Sequence, residues 1–432
     1  MILKHWTRQM LGLLLVTAPD GLHAQGSDDN MVTPSLPLEF DRGRNIGVLD
    51  RPRPEYTSQG VPVGGFTLQP KAELGVGYTS NAYQNTSNQG DGYVVFAPSA
   101  VVSSNWSRHD LTLSGGGNFY RYFTEGRRNR DGWNGALEGR FDATADVAIA
   151  ASARVRKDAE PPTSAAYPTA AAQSSQYTTA VAQISPTATL GRTKLQGSYS
   201  FSTTAFDPVR AFSGALIDQT NRNSQTHSGI ARGEYAVSPD TSLFLQGSYD
   251  RSTYLHRLAP GVPNRDSKTY RVLAGATFDL ATLVRGAVGV GYMSHRYDTP
   301  LYRNFADFAA EARVDYFASP LTTVTLTARR IAQDATLLDL GGYINSSVAL
   351  RVDHELRRNI LLDAQAGYEH DAFKGTPASL DILKTSAGVR YMATRVLGFG
   401  VSVEHDQRRA HSTGLISPYS ETRVMLRIVI QK

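Results

Sequence analysis

From Phe66 to Ile430, apolar and polar residues alternate with a period of two, interrupted only by turns. In "VAIAASARVR", Val147, Ile149, Ala151, Ala153 and Val155 fall on one side. Ala148, Ala150, Ser152, Arg154 and Arg156 fall on the other. In "FAAEARVDY", Phe308, Ala310, Ala312, Val314 and Tyr316 oppose Glu311, Arg313 and Asp315. The last segment, "SETRVMLRIVIQK", sets Val424, Leu426, Ile428 and Ile430 against Glu421, Arg423, Met425, Arg427 and Val429. A strand sends successive side chains to opposite faces, so these segments are strands with one apolar and one polar face. A 3.6-residue period fits far less well.

Connections between the segments also alternate. Short turns are expected at Ser104–His109, Thr144–Asp146, Leu190–Thr193, Ser238–Asp240, Ala281–Thr282, Ser319–Leu321, Arg357–Asn359 and Ala393–Arg395. Longer loops fall between them, at Asp158–Ser174, Asp207–Asn221, His256–Asp266, Gln333–Gly342 and Gln407–Pro418. The rhythm predicts about 18 strands, within a range of 16–18. An even count leaves both termini on one side of the sheet.

Long alternating strands, short turns on one side and long loops on the other specify an all-β fold: a transmembrane antiparallel up-and-down β-barrel. A soluble sandwich alternates too, but its strands are usually about five or six residues long. Lipid also demands that every backbone polar group be paired, which a closed sheet achieves without an edge. Tyr78, Tyr199, Tyr249, Tyr292, Tyr316, Tyr368 and Tyr391 fall toward strand ends, where a membrane–water boundary favours tyrosine. Residues 1–24 carry Lys4 and Arg8 before a short apolar run, and Ala24 closes the segment; this is the layout of a cleaved signal peptide. Residues 25–64 read as a short, proline-rich, irregular periplasmic tail, and residues 65–432 as the outer-membrane barrel.

The composition removes several function classes. The chain has no Cys, which excludes disulfides, thiolate catalysis and Cys-ligated metals. Its formal net charge of +5 is scattered rather than clustered, so no nucleic-acid partner is expected. Of ten histidines, only His109 has a Ser two positions away, Ser107, and that pair falls in a turn. The "G-x-S-x-G" elbow is absent. In each "EHD" triplet, His370 and His405 point away from their flanking acids. The chain is therefore read as a non-enzyme, with no catalytic residue, cofactor or metal site.

Interior charges are the candidate working parts. Alternation turns Glu138, Arg140, Arg154, Arg156, Arg271, Arg285, Arg313, Arg351, Arg390, Glu404, Arg423 and Arg427 inward as pore-lining residues. Their arginine excess predicts a preference for anions; pairs such as Glu311 with Arg313 would instead stiffen the wall. A 40-residue tail is too short to plug a wide lumen, which predicts an open pore narrowed by infolded loops.

The stretch Gly47–Gln84, with "DRPRPEY", a Gly-Gly-Phe step and "AELGVGYTSNAY", resembles the β-barrel porin 2 family of outer-membrane barrels. Its usual "DNVF" ending stands here as "SNAY", Ser80–Tyr83, and the chain ends in Gln431 and Lys432 rather than an aromatic residue. The resemblance implies a Gram-negative outer membrane, with outer-membrane lipid and lipopolysaccharide as surroundings. It further implies exopolysaccharide export with periplasmic polysaccharide-export proteins. The alternative is a general or anion-selective diffusion porin without such partners, so the solute is a polysaccharide or a small anion.

Overall fold

The computed structural model describes residues 45–161, 164, 166–168, 170–280, 283–335, 341–411 and 417–432. The signal segment 1–24, residues 25–44 of the tail, and parts of the loops expected at Asp158–Ser174, Gln333–Gly342 and Gln407–Pro418 lie outside the described residues.

A short strand, β1 (Val61–Val63), precedes β2 (Phe66–Thr79), β3 (Asp91–Ser104), β4 (Asp110–Tyr122), β5 (Arg130–Asp142) and β6 (Val147–Ala159). Next come β7 (Gln176–Leu190), β8 (Thr193–Phe206), β9 (Val209–Arg210), β10 (Leu216–Ile217), β11 (Ser224–Ala236) and β12 (Thr241–Tyr254). The second half holds β13 (Ser267–Leu280), β14 (Val284–Tyr297), β15 (Phe305–Ser319), β16 (Thr322–Asp334) and β17 (Gly342–Arg357). It ends with β18 (Ile360–Phe373), β19 (Ser379–Met392), β20 (Leu397–His411) and β21 (Tyr419–Gln431). Strands β2–β8 and β11–β21 each pair antiparallel with their neighbours, and β2 pairs with β21 from Lys71↔Gln431 to Thr79↔Arg423. The result is a closed barrel of 18 strands. β1 extends the closing seam by pairing with β2 at Val61↔Leu68, so the end of the tail expected to be irregular is a strand. β9 and β10 make a small hairpin inside one long loop.

Strand length follows from the bilayer. The barrel strands hold 13–16 residues, enough to cross the hydrocarbon core when tilted. The alternation sorts the two faces. On β21, Val424, Leu426, Ile428 and Ile430 are exposed on the outside, while Met425 and Glu421 are buried on the inside. Leu245, Val290, Tyr292 and Phe308 are about 60 % exposed, an apolar outer band that only a lipid environment stabilises. All seven tyrosines read as boundary residues are exposed on this outer face.

Each expected short turn among the described residues lies on one side of the barrel; Ala281–Thr282 lies outside the described residues. One two-residue turn joins β7 to β8 through Gly191 and Arg192, where Gly191 takes a φ of +61° that favours glycine. Gln431 reaches the neighbouring turn at Arg395 O and Tyr56 O, so the C-terminus and the first described residues share that side. An arginine on the outer face should therefore cost far more than one inside. Leu426→Arg is expected to destabilise the barrel by about 2–4 kcal/mol in lipid vesicles. Ser152→Arg, which faces Glu138 inside, is expected to leave stability nearly unchanged. Urea unfolding in liposomes, followed by tryptophan fluorescence, measures both.

Candidate functional site: the barrel lumen

All twelve charged residues read from the alternation stand on inward registers. Arg154 is opposite Ala136 on β5, and its Nε donates to Glu138 Oε1 at 2.8 Å. Arg140 Nε donates to Asp142 Oδ1 at 2.8 Å. Arg285 lies 3.3 Å from Asp315 Oδ2, and Arg313 lies 3.8 Å from Asp315 Oδ1. Arg351 reaches Asp353 at 2.8 Å. Arg423 lies 2.8 Å from Glu404 and 2.9 Å from Asp406. Arg427 stands 3.9 Å from Glu73. Arg271 Nε donates to Ser248 Oγ at 3.4 Å. Arg156 is opposite Asn134 and Thr179, and Arg390 is opposite Leu361 and Gly400.

At least seven of these ten arginines thus have a carboxylate within 4 Å. The described wall is laced with guanidinium–carboxylate pairs. The expected Glu311–Arg313 pairing is rearranged, since Arg313 reaches Asp315 while Glu311 stands opposite Arg329 on β16. Cross-strand register decides these partners, and one strand alone does not reveal it. Arg154 and Arg313, both near mid-strand, keep 57 % and 55 % of their side chains exposed to the lumen.

The long-loop end is narrowed by the wall itself. The β15–β16 ladder stops at Ala310↔Arg330, although β16 runs on to Asp334 and stays paired with β17. Beyond that point the β16–β17 tip slides inside the neighbouring wall. Ile344 packs against Phe244, Leu273, Met293 and Ala309 on the inner faces of β12–β15. Asp334 Oδ2 accepts from Ser267 Oγ at 3.1 Å. Its Oδ1 accepts from Tyr297 Oη at 3.0 Å and lies 2.8 Å from His295 Nε2. His295 Nδ1 is in turn 2.8 Å from Thr269 Oγ1. This histidine stands between the infolded hairpin and the wall. Beneath the tip, Arg232 lies over the Phe244 ring at 3.8 Å. The ring needs glycine below it, because a Cβ on Gly289 would stand 2.9 Å from Phe244 Cζ. Among the described residues, no group of three His, Cys, Asp or Glu is placed to hold a metal ion.

Loops cover the other half of the same mouth. Arg408 on β20 donates to Ser164 O at 3.3 Å and to Ser417 O at 2.6 Å, which draws the β6–β7 loop across the lumen. Arg128 donates to Tyr167 Oη at 3.1 Å. Glu160 and Arg222, both buried, join the β6–β7 loop to the β8–β11 loop at 3.0 Å. Tyr83 bonds Glu125 and packs against Phe212 at 5.1 Å. Burial, and then Glu125, push its phenol up to about 12. The "SNAY" turn is structural: Asn81, fully buried, donates to Asn85 O at 2.7 Å and to Ser420 O at 3.1 Å across the closing seam.

At the opposite mouth, residues 45–56 run along the rim from β14 to β21. Val48 N–H donates to Thr323 Oγ1 at 3.0 Å. Arg53 donates to Val48 O at 2.6 Å and to Glu355 Oε2 at 2.7 Å, with both side chains buried. Burial lowers the Arg53 pKa, and Glu355 opposes that shift. Arg285 donates to Asn45 O, Arg358 to Pro52 O, Arg395 to Pro54 O and Gln431 to Tyr56 O. The open pore expected to be narrowed by infolded loops is flanked at this mouth by the tail as well: a dozen residues follow the rim from β14 to β21.

A lumen bounded by an 18-strand wall, infolded loops and a strap of "DRPRPEY" residues is a transport architecture. The family described as "Putative beta-barrel porin 2" matches residues 53–432. The chain belongs to this family. This β-barrel porin accordingly resides in the outer membrane of a Gram-negative bacterium. Among solved structures, it is similar to the outer membrane protein OpdK from Pseudomonas aeruginosa, with 11 % identity, 84 % of this chain and 99 % of that one covered, and a TM-score of 0.42. It is also similar to Pseudomonas aeruginosa OccK2 (OpdF) in complex with glucuronate, with 10 % identity, coverage of 86 % and 100 %, and a TM-score of 0.45. The siderophore receptor PiuA from Acinetobacter baumannii shows 11 % identity, coverage of 87 % and 82 %, and a TM-score of 0.46. No curated protein sequence matches the chain.

In this porin one buried ion pair, Arg53–Glu355, anchors the middle of the strap. Glu355→Ala leaves Arg53 buried without its carboxylate, a change that typically costs about 3–5 kcal/mol. The strap is expected to undock, so single-channel conductance rises and glutamyl endopeptidase cleaves faster after Glu55. Wild-type conductance and wild-type cleavage together would refute the latch.

Proposed function

We propose that this porin conducts small anionic solutes, with lumen arginines as the selective elements. The observation that carries the reading is the exposure of the Arg154 and Arg313 guanidiniums at mid-depth on opposite arcs of the wall. Each has a carboxylate nearby, yet more than half of each side chain remains open to solvent. A partly paired guanidinium attracts a passing anion without trapping it, which a conducting site requires. The infolded β16–β17 tip and the strap favour small solutes over bulky ones. In planar bilayers under a salt gradient, the wild type is expected to show an anion-selective reversal potential. Arg154→Glu with Arg313→Glu is expected to shift it toward cations. An unchanged reversal potential rejects this assignment.

A second reading, export of an exopolysaccharide with periplasmic partners, is favoured by the strap. Glu55 and Arg358 are exposed beside it on the side where a periplasmic protein would meet the barrel. Gene deletion followed by measurement of extracellular polysaccharide separates the two readings: a lower yield supports export, and an unchanged yield leaves solute diffusion as the function.

A further inference from the structure

The outer face carries a charge pattern that the lumen does not explain. Arg251 on β12, Lys268 on β13 and Arg296 on β14 are consecutive cross-strand partners, Arg251↔Lys268 and Lys268↔Arg296. His227 on β11 continues the row opposite Arg251. The parity that turns Arg271 and Met293 inward turns this row outward, toward lipid. Adjacent strands lie about 4.8 Å apart, so three cations span about 10 Å of wall.

The level of the row is set by the aromatics below it. One outward position closer to the bilayer centre stand Tyr249 and Tyr270, whose rings are 5.1 Å apart. Tyr292 lies two outward positions below Arg296, and all three tyrosines are exposed. Tyrosine rings mark the boundary of the hydrocarbon, and charged headgroups begin just beyond it. The cations therefore sit at headgroup height on the long-loop side.

The patch is not self-neutralised. Asp298 lies 2.5 Å from Arg251 and 3.4 Å from Lys268. The Arg251 hydrogen bond contributes most to holding its carboxyl below the usual range. Asp266, beside it, accepts from Tyr254 N–H at 2.8 Å. Against these two carboxylates stand Arg251, Lys268, Arg296 and the exposed loop residues Arg257 and Arg303, which flank the same strands. Arg296 is exposed, and its Nε contacts Ser294 Oγ at 3.4 Å. Elsewhere on this rim, Arg121–Asp131 and Lys157–Asp207 are pairs of one cation with one carboxylate.

We propose that Arg251, Lys268 and Arg296 form a binding site for the phosphate of an outer-leaflet glycolipid, the phosphorylated diglucosamine of lipopolysaccharide. Phosphate approaches Arg296 and Lys268 from the membrane side, where Asp298 does not cover them. The acyl chains then run down over Tyr249, Tyr270 and Tyr292. Guanidinium suits this role because its planar fork can meet two phosphate oxygens at once.

The test is native mass spectrometry of the detergent-purified full chain with bisphosphorylated lipid A, dephosphorylated lipid A and inorganic phosphate as probes. Retention of bisphosphorylated lipid A by wild type is expected, with about 100-fold weaker binding by the Arg251→Ser, Lys268→Ser, Arg296→Ser triple variant. Dephosphorylated lipid A is expected to bind both proteins equally weakly. Heat-modifiable gel mobility establishes that each variant is folded. If the triple variant does not fold, Arg296→Gln alone is expected to lose about fivefold. Unaltered binding in the folded variant overturns the site, as does wild-type binding that ignores the phosphates. Displacement of the lipid by equimolar inorganic phosphate overturns the lipid assignment.

Discussion

The structure depends on a requirement of the solvent rather than on any single residue: in hydrocarbon, every backbone N–H and C=O must find a partner within the protein. An open sheet fails at its edges, so the first and last strands must meet. β2 and β21 do so over nine register pairs, from Lys71↔Gln431 to Thr79↔Arg423. Beyond the end of β21 the pairing is extended by Lys432 N–H donating to Pro70 O and by β1 lying along the start of β2. Closure then determines what the two faces become. One meets acyl chains, and the other encloses water.

Those two faces follow different rules. Outside, side chains need only be apolar, as Leu245, Val290 and Phe308 are. Inside, guanidinium and carboxylate groups face one another across strands, and register sets who meets whom. Arg423 gathers Glu404 and Asp406, while Arg313 shares Asp315 with Arg285. Ion pairs brace the wall, and some guanidiniums, as at Arg154 and Arg313, remain partly exposed within it.

The strand count and the closing order of the sheet were legible because a period of two is a local property. The cross-strand partners were not, because they depend on register between segments far apart in sequence. The overlap of the β16–β17 tip was hidden for a different reason. Ile331, Ile344 and Asn345 alternate like any strand, and nothing in a period of two says that the outer side of a hairpin lies against the inner side of its neighbours. The one trace is length, since β17 is the longest strand at 16 residues. The strap was legible as a motif, "DRPRPEY", but its place was not: Arg53 and Glu355 are 302 positions apart.

That separation has a consequence for assembly. The groups that hold the strap come from β14, β16, β17, three turns and the final strand. They stand together only after the last strand has zipped onto the first. The oldest part of the nascent chain must therefore wait, unpaired, until the youngest part arrives. Docking of the strap is then a mark of completed circularisation, and a barrel stalled one strand short would leave its leading segment loose.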